Sequence, residues 1–141
     1  MKGKIFNPDE ANRMLPLVSR ITDDIVATYT RVQRALQAID ADKKSQDGAA
    51  PSENPDRDAR LDRLDREVAR LLERFQGLIE EIEALGGTVK DYERGCVDFY
   101  GEVEGEIVYL CWKRGEPTIG HWHRLEEGFT SRRTIEVVSA A

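Results

Sequence analysis

Two cysteines, two tryptophans and two histidines in 141 residues leave little material for specialised chemistry. Cys96 and Cys111 fit no zinc-finger spacing and read first as small buried hydrophobes. No apolar run approaches the roughly 18 residues that a membrane span needs. The opening Met1-Lys2-Gly3-Lys4-Ile5-Phe6-Asn7-Pro8 has no apolar h-region, so no secretory signal is expected. A cytoplasmic location with reduced thiols follows. Concentrated positive charge is missing too. The net charge of −6 divides as zero over residues 1–55 and −3 over each of residues 56–85 and 88–141. Nucleic acid asks for a basic face and an anionic membrane for the same, so neither is an expected partner. G-x-S-x-G, P-loop and Rossmann motifs are absent. No cofactor is predicted from motifs, and the reading leans away from an enzyme.

What the chain does have is periodicity. Leu61, Val68, Phe75 and Ile82 recur every seven residues, and Leu64, Leu71, Leu78 and Leu85 repeat three places on. This is a coiled-coil-like seam over a helix at 56–86, ended by Gly86-Gly87. Ala11, Val18, Ile25, Val32 and Ile39 mark a first helix at 7–42. Asn7 and Glu10 form a capping box at its start, and Pro16 predicts a kink or a break. Residues 43–55 read as a flexible polar linker between antiparallel helices. Tyr29, Leu36, Leu72 and Ile79 widen both stripes beyond what one neighbour covers. The extra face must meet the C-terminal region or a second copy, and the economical cover is a second copy, giving a homodimeric four-helix bundle.

After Gly87 the period changes to two, which predicts a β-meander over 88–124 and then a loop and tail over 125–141. The expected fold is therefore α+β in one domain: a long antiparallel two-helix hairpin followed by three or four antiparallel strands. Glu104-Gly105 and Arg114-Gly115 suit two-residue hairpin turns. The first turn pairs Asp98 with Cys111. The second pairs Glu106 with His123 and Val108 with His121, which puts both histidines on the face opposite Cys111.

Two histidines at i and i+2 on a strand point the same way, so His121, His123 and Glu106 form a candidate site for a divalent metal. Asp98 beside Tyr100 and Glu102 offers carboxylates on the other face. Arg132-Arg133 would suit an anion or a carboxylate. The same residues, with Trp122 and Tyr109 on the second face, would equally suit a surface that binds a protein partner.

One resemblance adds to this. Glu10-Ala11-Asn12, Leu15-Pro16, Glu83-Ala84-Leu85-Gly86, Val97-Asp98-Phe99, Leu110-Cys111-Trp112, Gly115-Glu116-Pro117, Trp122-His123 and Gly128-Phe129 resemble the bacterial family of unknown function DUF2203. Ser131 and Thr134 depart from the glycine and proline that this family usually carries there. The resemblance implies no activity, but it draws attention to Glu106, Glu116, Trp122 and His123. The expected function is a small dimeric interaction module with Glu106, Trp122, His123, Asp98, Glu116 and Arg132 as candidate binding residues. The alternative is a metal-binding protein or enzyme built on Glu106 and His123.

Overall fold

The computed structural model describes residues 4–45 and 55–135. Helix α1 spans Pro8–Ser45 and α2 spans Pro55–Ala84. The two pack as a hairpin, and a five-stranded antiparallel sheet follows. Its strands are β1 (Gly87–Asp91), β2 (Cys96–Val103), β3 (Glu106–Lys113), β4 (His121–His123) and β5 (Arg133–Thr134), neighbours in that order. The fold is α+β as expected, with five strands in place of three or four. The additional one is the two-residue β5, which alternation cannot signal in so short a segment. No described helix is long and apolar enough to cross a membrane.

The capping box forms as read. Asn7 Oδ1 accepts the Glu10 amide at 2.8 Å and Glu10 Oε1 accepts the Asn7 amide at 3.0 Å. Helix α1 runs as one element through Pro16. The missing proline donor costs one ladder bond, and Leu15, Val18 and Ile21 on either side are all buried, which outweighs it. Most of the linker at 43–55 lies outside the described residues; at its margins α1 extends to Ser45 and α2 begins at Pro55.

One face of the sheet carries Val97, Phe99, Val108, Leu110 and Trp112, all at most 1% exposed, and packs against Ala11, Val18, Ile25, Leu78 and Ile82 of the hairpin. Phe6 extends the sheet beyond the end of β1. Its amide bonds Tyr100 O at 2.8 Å, and its ring meets Phe99 edge-on at 5.6 Å. Gly101 lies beneath Leu110, where any β-carbon would clash with that side chain.

The β2–β3 turn has positive φ at both Glu104 (52°) and Gly105 (79°), as a type I′ turn requires, and the register pairs Asp98 with Cys111. The β3–β4 connection corrects the sequence reading. Residues 114–120 form a longer loop, and β4 pairs Tyr109 with His123, Leu110 with Trp122 and Cys111 with His121. The reason lies outside the hairpin. Asn12 of α1 accepts the Ile119 amide at 2.7 Å and donates to Ile119 O at 3.2 Å. Glu116 takes the Lys113 amide at 2.7 Å, and its carbonyl takes Trp112 Nε1 at 2.9 Å. These bonds draw Ile119 into the core and delay β4 by three residues. An odd slip inverts every side chain of the strand. His121 and His123 therefore share a face with Cys111, and Trp122 turns toward the core.

Candidate functional site

The face of the sheet turned away from the helices carries Cys96, Asp98, Tyr100, Tyr109, Cys111, His121 and His123. Residues 124–131 fold back over it. Between them lies a cavity of about 150 Å³ whose lining includes Lys90, Asp98, Tyr109, Cys111, His123 and Phe129.

At its floor, three adjacent strands each contribute one side chain: Asp98 from β2, Cys111 from β3 and His123 from β4. One oxygen, the sulfur and one imidazole nitrogen lie within 4.8 Å of one another. All three residues are buried, at 3%, 1% and 2% exposure. Among the described residues they are the only group of histidine, cysteine and carboxylate side chains arranged closely enough for one ion.

The hydrogen bonds fix the protonation of the imidazole. His123 Nδ1 lies 2.8 Å from Arg124 O. A carbonyl can only accept, so Nδ1 carries a proton and Nε2 faces the cavity. That carbonyl is itself held by a turn, since it also accepts the Glu127 amide at 3.0 Å. Nε2 lies 3.1 Å from Asp98 Oδ2, and the pair must share one further proton for this contact to be attractive. Among the described residues Asp98 Oδ1 has no hydrogen-bond partner. Burial pushes the Asp98 carboxyl above its ordinary value, against the opposing pull of the Cys111 thiol and His123. Burial, and then the neighbouring Asp98, push the Cys111 thiol up.

Around this floor the supports are polar and paired. Glu127 holds Arg133 in a fork of 2.7 and 3.0 Å and accepts the Arg124 amide at 2.8 Å. The Arg133 bonds and then the Arg124 amide pull its carboxyl down to about 2. This clamp pins both ends of the roof. Glu116 accepts Arg132 at 2.8 Å, and the guanidinium lies 4.0 Å from the Phe129 ring centre. Burial raises the Glu116 carboxyl, but Arg132 and the Lys113 amide hold it below its ordinary value. Tyr109 lies beside Tyr100, ring centres 5.1 Å apart, and its phenol is pushed up to about 12 by the hydrogen bond with Tyr100 and by burial.

Residues 4–135 match the family described as "Uncharacterized conserved protein (DUF2203)". The chain belongs to the DUF2203 family. No curated protein and no solved structure matches it. The cluster in this DUF2203 protein must therefore be read from its own geometry.

Of the residues singled out in the sequence, Asp98 and His123 meet, and Glu106 is not with them. Glu106 pairs with Val103 across the turn and reaches Arg124 at 3.2 Å on an exposed surface. His121 points to the same face as His123 but outside the cluster, with Nδ1 3.5 Å from Glu116. Glu116 and Arg132 form an adjoining ion pair. Trp122 packs partly against the core, with the Arg133 guanidinium 4.9 Å from its ring centre, so it cannot share a partner-binding face with Tyr109. Sequence reasoning missed Cys111 as a member of the site, and Lys90 altogether. The Asp98–Cys111 register was readable; the β4 slip that brings in His123 was not.

Proposed function

We propose that this DUF2203 protein binds a transition metal, with Asp98, Cys111 and His123 as the ligands. A thiolate, an imidazole and a carboxylate form a donor set suited to zinc. Three protein ligands leave one coordination position toward the cavity, the pattern of sites that bind or activate a small molecule. The observation that carries this reading is Asp98 Oδ1, unpartnered among the described residues and buried beside a thiol and the imidazole nitrogen that faces the cavity. The Nδ1–Arg124 bond is the support that metal-bound histidines ordinarily have. Zinc bonds of about 2.0–2.3 Å ask the three atoms to draw together on loading, a movement that side-chain torsions supply. Binding releases the thiol proton and the proton shared by Asp98 and His123, so affinity rises with pH. A free thiol at the centre suits a reducing, cytoplasmic setting.

The test is titration of chelator-treated full-length protein with zinc and with cobalt. One ion per chain and a thiolate-to-cobalt absorption band are expected. Cys111→Ser should remove the band and His123→Ala should abolish tight binding, while His121→Ala changes neither. Undiminished binding in Cys111→Ser would refute the assignment.

A homodimeric interaction module remains the second reading. It is favoured by Leu17, Leu36 and Leu72 on the hairpin, 45%, 49% and 49% exposed. Light scattering at micromolar concentration distinguishes a dimer from a monomer.

A further inference from the structure

Lys90 belongs to a local irregularity of the sheet. Val89 pairs with Val97 and Asp91 with Cys96, so Lys90 is the extra residue of a β-bulge in β1. A bulge re-aims a side chain, and this one brings Lys90 into the lining of the cavity over the cluster. Its Nζ lies 4.9 Å from the centre of the Tyr109 ring, which in turn lies 5.4 Å from the His123 ring. Lys90 forms no ion pair among the described residues. Among the described residues, the one carboxylate in the cavity wall besides Asp98 is Glu127, and Arg133 neutralises it.

The charges then add up simply. A doubly charged ion with the Cys111 thiolate, the Asp98 carboxylate and neutral His123 has no net charge. Among the described residues, Lys90 then leaves the cavity with one positive charge and no further carboxylate to balance it. A cavity of about 150 Å³ is the size that accepts benzene. Leu125 and Phe129 supply apolar surface in its wall, opposite the polar floor.

From this geometry, and resting on the metal centre proposed above, we infer that the open position takes a small monocarboxylate. One carboxylate oxygen meets the ion and the other faces Lys90, while a short apolar body lies against Leu125 and Phe129. A neutral molecule of the same shape leaves Lys90 uncompensated. A dicarboxylate brings a second charge against the apolar wall.

The experiment uses cobalt-loaded full-length protein, with propionate as the probe and propionamide as its uncharged counterpart. Propionate is expected to shift the visible cobalt spectrum saturably, and propionamide to leave it unchanged. Lys90→Gln should weaken propionate about ten-fold or more, as loss of a charge-assisted bond implies, with cobalt content and the thiolate band unaltered. Equal responses to the two probes, or an unaltered propionate affinity in Lys90→Gln, would overturn the carboxylate site and leave the metal centre standing. Protein that takes up no cobalt would overturn both.

Discussion

Replacing Asp98 by Asn should stabilise the metal-free protein and weaken its hold on metal, so that the stability order of the two proteins reverses when zinc is added. Asp98 is 3% exposed and one of its oxygens has no hydrogen bond. An unsatisfied buried polar group costs about 1–3 kcal/mol and a charged one more. Exchanging the carboxylate for a neutral amide recovers the difference, on the order of 1–3 kcal/mol, although Oδ1 stays unpaired. The Asn amide donates to His123 Nε2 without borrowing a proton and carries no charge to desolvate. A carboxyl whose folded pKa is raised takes up protons on folding between its ordinary value of 3.8 and the raised one, so the wild type loses stability as pH climbs through that window. The advantage of Asp98→Asn should accordingly be absent at acid pH, grow through the window and level off above it. For a chain of this size, about 1–3 kcal/mol corresponds to a Tm rise of roughly 3–10 °C at pH 8.5. Zinc at a thousand times its Kd adds about 4 kcal/mol to the wild type and less to the variant. Thermal unfolding of both proteins across pH, with chelator and then with zinc, makes the measurement. A metal-free Asp98→Asn less stable than wild type at pH 8.5 would show that the pair is a net stabilising ion pair, and the reasoning about an uncompensated carboxyl would be wrong.

Two further outcomes are expected. Asn12→Ala removes both bonds to Ile119 and should cost about 1–3 kcal/mol in urea unfolding, with faster amide exchange in β4 than in β2. Glu127→Gln removes a carboxylate whose pKa lies at about 2, below its ordinary 4.5. The stability this group adds is fully present above the ordinary value and lost as pH falls through about 2. Acid titration followed by circular dichroism should show the variant already lacking that component at pH 6 and flatter than wild type below pH 4.5.

Most of the architecture is legible because its signals are local. The seven-residue spacing of Ala11, Val18, Ile25 and Val32 is a helix stripe, and all four side chains are buried. The capping box and the Glu104-Gly105 turn each lie within a few residues of one another, and both formed as read. The candidate site was half legible for the same reason. Asp98 faces Cys111 across a hairpin with a two-residue turn, and counting back from the turn places them together. His123 could not be placed that way. Its position depends on Asn12, more than a hundred residues earlier in the chain, holding Ile119 off the sheet. Lys90 was hidden because a bulge is an exception to alternation, and alternation was the only guide available in β1.

His123 grips the cluster through Nε2, and its other ring nitrogen holds the carbonyl of the very next residue, where the roof begins. Grip and roof are thus consecutive links of one chain. Any pull on the imidazole from the floor is transmitted through Arg124 to the segment overhead. A shift of the imidazole that displaces Nδ1 therefore either carries Arg124 with it or breaks the 2.8 Å bond between them.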